Sequence, residues 1–234
     1  MSLLFPRHCP VCEELVNEEG ALICKACMKV LAPVKQPVCK ACGKEVFADR
    51  LEYCRDCVIH PKTFREGMAL LNYNEAARQS MASIKYKNRR EYLDFYAQAI
   101  VHRFDKSIGR IDPDALIPVP VHNSRRRQRG FNQAEELAVR LGKSWDLPVR
   151  TDLLIRKKKT DPQKQLTPKE RLRNLQDAFA LTESGKLTDI PGTAVLVDDI
   201  YTTGSTLEAC ARILRAAGTD RIYTLVICIG EGAS

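Results

Sequence analysis

Ala194-Val195-Leu196-Val197-Asp198-Asp199-Ile200-Tyr201-Thr202-Thr203-Gly204-Ser205-Thr206 decides how the chain folds. Thr193–Val197 is a short apolar run of the kind that forms a strand buried on both faces. It leads into two adjacent acids, then a Thr/Gly/Ser loop, then Leu207–Ala217, whose apolar residues recur at helical spacing and which Gly218 stops. At the carboxyl edge of an open parallel sheet, such a strand–loop–helix passage is where ligands bind. The helix is expected to open near Ser205, where free N–H groups and the helix dipole favour a phosphate. Thr202, Thr203, Ser205 and Thr206 add hydroxyl donors, and Gly204 lets the backbone come close to an anion. Asp198 and Asp199 do not bind phosphate themselves. They suit sugar hydroxyls and a hydrated Mg2+. Ordinary capping accounts for Ser205 or Thr206, but not for two acids at the end of an apolar strand. The loop is neither a Walker A sequence, which needs Gly-Lys-Ser/Thr, nor a GxGxxG turn.

Outward from this loop, strands and helices alternate. Strands are expected at Phe64–Tyr73, Ala115–Val119, Thr193–Val197 and Arg221–Ile229, with Leu153–Ile155 at an edge. Helical character falls at Glu75–Ile84, Arg90–Phe104, Asn132–Lys143 and Leu207–Ala217, with a short helix from Pro168 to Leu175 after a polar loop at Thr160–Leu166. The fold class is therefore α/β, a mainly parallel sheet flanked by helices. Cys210 and Cys228 read as core residues.

Ahead of this domain lie four CxxC pairs: Cys9/Cys12, Cys24/Cys27, Cys39/Cys42 and Cys54/Cys57. Two CxxC turns close one tetrahedral thiolate site, so eight cysteines provide for two zinc ions. A disulfide framework is the alternative, and fixed pair spacing without an export signal argues against it. Sequential ribbons join the first pair to the second; a cross-braced arrangement joins the first to the third. The hairpin-like stretches Glu18-Glu19-Gly20 and Ala48-Asp49-Arg50 favour the sequential form. His8 and His60 adjoin the pairs but are superfluous beside eight thiols. Residues 1–63 are too poor in apolar positions for a large core, so metal supplies folding free energy. Residues 1–63 are read as a zinc-binding double ribbon and 64–234 as the α/β domain.

The chain of 234 residues is 44% hydrophobic and 28% charged, which is globular composition. No apolar run nears the roughly 18–20 residues of a membrane span, so a cytoplasmic protein without membrane insertion is expected. The formal charge of +8 suits phosphate-bearing partners, small or polymeric. Lys85-Tyr86-Lys87 with Arg89 and Arg90 mixes cations with an aromatic ring, as single-stranded nucleic acid sites do. Lys85 reaching a ligand phosphate and a plain exposed helix end are the competing readings. No Ser-His-Asp or Cys-His arrangement stands out, and His122 is a lone histidine.

Val197–Thr206 resembles the PRPP-binding signature of type I phosphoribosyltransferases. The chain more closely resembles the ComF family (ComF, ComFC and GntX-like proteins), which joins a cysteine-rich ribbon to that domain. The matching pieces are Ile84-Lys85-Tyr86, Pro118-Val119-Pro120, Arg129-Gly130-Phe131-Asn132-Gln133, and Thr160-Asp161-Pro162-Gln163 with Arg171 and Asn174. The resemblance implies a type I phosphoribosyltransferase-like fold in which Asp198 and Asp199, the catalytic pair, take the ribose and Thr202–Thr206 the 5′-phosphate. It places Arg129, in a loop that opens a helix, at the pyrophosphate, makes Thr160, Gln163 and Arg171 parts of a lid, and leaves residues 64–104 as the candidate hood segment that selects the base. Two functions follow. One is competence-linked uptake or handling of single-stranded DNA, with PRPP and Mg2+ bound, beside a helicase-like competence ATPase and other uptake proteins. The other is a phosphoribosyltransferase that moves phosphoribosyl between PRPP and a nitrogenous base.

Overall fold

The structure is a computed structural model and describes residues 7–48, 50–157, 178–186 and 189–230. Four strands form the central sheet: β1 (Glu66–Asn72), β2 (Ala115–Pro118), β5 (Thr193–Tyr201) and β6 (Arg221–Ile229). Their order is β1-β6-β5-β2 and every pairing is parallel. The register sets Val195 beside Tyr223 and Leu196 beside Ile117. Strand side chains alternate between faces, and the core divides accordingly. Val195, Val197, Leu225 and Ile227 join one apolar cluster. There they meet helices α3 (Glu75–Tyr86), α4 (Tyr92–Ile111) and α6 (Gln133–Trp145). Ala194, Leu196, Ile222 and Val226 join a second cluster with helix α7 (Ser205–Ala217). Cys210 and Cys228 are fully buried, one in each cluster, as expected of core residues.

Most expected elements appear, with three instructive differences. Helix α4 runs to Ile111, where Asp112 ends it in a left-handed conformation, φ 47°. Strand β5 continues to Tyr201 instead of ending at Val197, because β6 is long enough to pair Asp198, Ile200 and Tyr201. Leu154–Arg156 (β3) pairs with Phe179–Leu181 (β4) in a separate antiparallel ladder, not with the main sheet. No helix among the described residues is long and apolar enough to cross a membrane.

The ribbons repeat one design. Gly43 N–H donates to the Cys39 carbonyl at 2.9 Å, and Glu13 N–H to the Cys9 carbonyl at 3.0 Å. Short helices α1 (Lys25–Val30) and α2 (Arg55–Ile59) carry the second cysteine pair of each ribbon, with Cys24 and Cys54 as N-caps and Cys27 and Cys57 inside the helices. The segment between the ribbons runs antiparallel along β1, with Val34 N–H on Leu70 O (3.1 Å) and Asn72 N–H on Ala32 O (2.7 Å). Cys9 and Cys27 belong to the cluster of α3 and α4, and Cys39, Cys42 and Cys57 to that of α7. Each ribbon therefore packs into a different side of the same sheet.

Candidate functional site

Because β5 stays a strand through Tyr201, its two acids diverge. Asp199 is 6% exposed and faces α3 and α6. The Lys85 ammonium forms an ion pair with its Oδ2, and Gln133 Nε2 donates to its Oδ1 at 3.3 Å. Asp198 is half-buried and accepts from the Asp199 N–H at 2.9 Å. Burial pushes the Asp198 carboxyl well above its usual range, and the adjacent Asp199 charge adds to this. Burial alone would raise Asp199 too, but the Lys85 charge and hydrogen bond outweigh it and hold the group low. Two neighbouring carboxyls thus hold protons very differently.

The loop turns on Gly204, whose φ of 72° is left-handed. A side chain there would meet the Tyr201 phenol as well as the backbone strain, so glycine is required twice over. The Gly204 carbonyl accepts from Glu208 N–H at 2.8 Å, closing the first turn of α7. Thr203 and Ser205 share a 2.8 Å hydroxyl contact. Thr202 and Thr203 are exposed, and Ser205 and Thr206 half-buried. This is the expected loop at the start of a 13-residue helix.

Opposite the acids stands a basic wall. Arg125-Arg126-Arg127-Gln128-Arg129 forms helix α5 (Asn123–Arg129), not the loop expected from sequence. His122 caps it, its Nδ1 accepting from Ser124 N–H at 3.2 Å, and Gly130 ends it at φ 79°. The lone histidine is therefore a cap. The Arg129 guanidinium lies 5.2 Å from the Tyr86 ring and donates to Gln133 Oε1 at 3.2 Å. Its Nε is buried and has no partner among the described residues. A cavity of about 330 Å³ is lined by Asp198, Asp199, Thr206, Lys85, Arg129 and Arg156, among others. Arg125, Gln128 and Gln133 complete its polar lining.

The other basic residues are mostly engaged elsewhere. Lys87 pairs with Glu13 at 2.9 Å, Arg126 with Glu135 at 3.3 Å, and Arg90 lies 4.3 Å from the Phe131 ring. Of the Lys85–Arg90 stretch, Tyr86 is exposed and Lys85 faces the cavity. Residues 64–104 supply β1 and α3 and most of α4, and reach the cavity through Lys85 and Tyr86. Thr160, Gln163 and Arg171 lie outside the described residues. Sequence reading gave Gln133 and Arg156 no ligand-binding role of their own, although both lie in stretches it singled out. The signal that finds them is spatial: Gln133 meets Asp199 from a distant helix, and Arg156 stands in the electrostatic field of Asp198.

The cysteines form two sequential clusters, Cys9/Cys12/Cys24/Cys27 and Cys39/Cys42/Cys54/Cys57, each with its Sγ atoms within 4.8 Å of one another. Cys9–Cys24 and Cys42–Cys54 Sγ distances are 3.7 Å. A tetrahedron with Zn–S bonds of about 2.3 Å has edges of about 3.8 Å, so both sets fit zinc. His8 Nδ1 donates to the Glu13 carbonyl, 2.7 Å away, and His8 belongs to neither cluster.

Residues 1–58 match the family described as Double zinc ribbon domain, and residues 105–233 the family described as Phosphoribosyl transferase domain. The chain is 30% identical over 205 residues to Competence protein F of Haemophilus influenzae, covering 86% of this chain and 87% of that protein. It is 28% identical over 174 residues to Competence protein ComFC of Bacillus subtilis, covering 70% and 67% respectively. It is 28% identical over 185 residues to the DNA utilization protein YhgH of Salmonella typhi, covering 75% and 77%.

Proposed function

Because this chain belongs to the ComF family, in which a double zinc ribbon precedes a phosphoribosyltransferase domain, we propose that it acts in competence by handling single-stranded DNA, with PRPP or a related phosphoribosyl ligand held between the acid pair and the basic wall. Relatives named for competence and for DNA utilization support the biological setting. The cavity carries the chemical reading: acids, a helix N-terminus and arginines line one space of ligand size. Asp198 and Asp199 accept from the ribose 2′ and 3′ hydroxyls. Thr202–Thr206 and the first amides of α7 hold the 5′-phosphate. Arg129, with its unsatisfied Nε, takes the diphosphate beside Arg125 and Arg156.

Mg2+ prefers one or two carboxylates plus ligand phosphates and keeps several waters. Asp198 fits that need, since it faces the cavity and Lys85 is committed to Asp199. When bound there, Mg2+ would neutralise diphosphate charge. Lys85 keeps Asp199 ionised for the ribose whether or not the ion is present. Single-stranded DNA, a helicase-like ATPase and other uptake proteins are the partners this reading assigns.

Calorimetric titration of PRPP with Mg2+ into the purified protein, with and without a short single-stranded oligonucleotide, tests it. Binding of PRPP with an affinity that the oligonucleotide changes is the expected result. PRPP binding that DNA leaves unchanged removes the DNA link and leaves the pocket assignment standing. Absence of both interactions overturns the proposal.

A further inference from the structure

The second ribbon lies against the loop just assigned to phosphate, whereas the first does not. Thr63 follows the second ribbon in sequence. Its backbone N–H and its hydroxyl donate to the two carboxylate oxygens of Glu208 at 2.8 and 2.7 Å. Glu208 is 5% exposed, sits in the first turn of α7 and also donates its own N–H to Gly204 O. Arg212 Nε also donates to Glu208 Oε1 at 2.7 Å, so releasing Thr63 leaves the buried Oε2 without the N–H that satisfies it.

Tyr201 forms a second link. It is 2% exposed and shares its apolar cluster with Cys39, Cys42 and Cys57 on one side and Leu207 and Ala211 of α7 on the other. Its phenol lies against Gly204, and its Oη has no partner among the described residues. The ribbon itself is seated backbone to backbone: a Cβ on Gly67 would come within 2.7 Å of the Cys42 carbonyl group.

We propose that the second zinc ribbon sets the geometry of the phosphate loop, with Tyr201 and the Thr63–Glu208 pair as positioning residues. Occupancy of the Cys39/Cys42/Cys54/Cys57 centre then governs affinity for an anionic ligand at residues 202–206. A four-thiolate ribbon of this size folds on its metal, so losing that zinc withdraws the surface on which the Tyr201 ring and Thr63 rest. The loop loses its support and the first amides of α7 no longer converge on one point. The first centre serves as an internal control, since Cys9 and Cys27 pack with α3 and α4 on the other face. The ligand part of this inference rests on the phosphoribosyl reading; the coupling part does not.

The experiment measures three quantities on the full-length protein: zinc per chain, amide hydrogen exchange at residues 202–206 without ligand, and PRPP affinity. Cys57→Ser is expected to lose one zinc, to speed loop exchange at least tenfold and to weaken PRPP at least tenfold. Cys12→Ser is expected to lose one zinc and to leave loop exchange within twofold. Thr63→Val spares every cysteine; it should retain two zincs yet speed loop exchange several-fold, and Thr63→Ser should restore the original rate. If Cys57→Ser does not fold, the Thr63 pair decides the matter alone. Unchanged loop exchange in Cys57→Ser, or in Thr63→Val, overturns the coupling. Absence of PRPP binding by the unaltered protein removes the phosphoribosyl reading, while the exchange rates still decide the coupling.

Discussion

Glu13 in the first ribbon and Gly43 in the second both occupy the left-handed position just after a CxxC turn, at φ 62° and φ 76°. Gly43, having no side chain, lies directly on the backbone of Gly67 in β1. Glu13 instead extends a carboxylate to the Ser83 hydroxyl and the Lys87 ammonium on α3. One ribbon is held by close backbone contact on the side of the phosphate loop, the other by polar bridges on the helix that carries Lys85. Equal cysteine spacing therefore gives equal metal sites but unequal attachment. The substitution of one residue in the repeat decides which kind of docking each ribbon has.

Gly43→Ala attacks that comparison at its strongest point. A left-handed alanine costs about 1–2 kcal/mol, and forcing a methyl into close-packed surroundings costs about 1–3 kcal/mol more. Denaturant unfolding should show a loss of about 3 kcal/mol. A loss under 1 kcal/mol would mean that the second ribbon is not seated by its backbone.

Lys85→Met comes next, on the wall that the first ribbon supports. Removing one partner of a buried pair costs about 3 kcal/mol, because Asp199 at 6% exposure is left without its cation and must either remain charged unpaired or take up a proton. The pH dependence has a definite sign. Lys85 holds Asp199 low against its burial, so the pair's contribution is present above the unfolded carboxylate pKa of about 4. It is lost as pH falls through the folded value. The variant should lack this acid-side decline, and matching pH–stability curves for both proteins would contradict the assignment.

Asp198→Asn has a smaller effect on stability and the opposite direction. Burial and the neighbouring acid raise the Asp198 carboxyl, so its stabilising share is complete below about pH 4 and declines as pH rises through the folded value. Replacing it by a neutral amide should stabilise the ligand-free protein at pH 8 by about 1 kcal/mol, as relief of functional strain does elsewhere. PRPP binding should fall at least about a hundredfold, the loss of two charge-assisted hydrogen bonds. Loss of binding without gain in stability would leave the ribose role intact and remove the electrostatic argument.

Glu13→Gly is the finest probe. It relieves left-handed strain while deleting the bridges to Ser83 and Lys87, and exposed ion pairs contribute only about 0–1 kcal/mol. The net change should be under about 1 kcal/mol by thermal unfolding. A loss as large as that of Gly43→Ala would erase the difference between the ribbons.

The sequence disclosed the acid pair, the loop glycine and the cysteine clusters because each is local: a few adjacent residues impose the chemistry. It also placed β6 at Arg221–Ile229, where the apolar run is continuous. Helix α5 escaped because five of its seven residues are arginine or glutamine, which leaves no apolar period to read. The extension of β5 escaped because acids are poor strand formers, and only the length of β6 shows that they are paired. Gln133 on Asp199 and Thr63 on Glu208 join residues far apart in sequence, so no local pattern announces them. The seat of the second ribbon rests on two glycines, whose importance appears only when their backbones are seen in contact.

The strand order β1-β6-β5-β2 also has a consequence in time. β1 borders the ribbons, yet its only strand partner in the main sheet is β6, the last strand of the described chain to be synthesised. A ribosome delivers the cysteine pairs first, so zinc can organise them while β1 still awaits its neighbour. Until β6 emerges, β1 and β5 each present an open edge to any other strand nearby. Such long-range parallel pairing is slow to form. The zinc-organised ribbons, with residues 32–34 laid along the opposite edge of β1, then leave β1 with one open edge during synthesis instead of two.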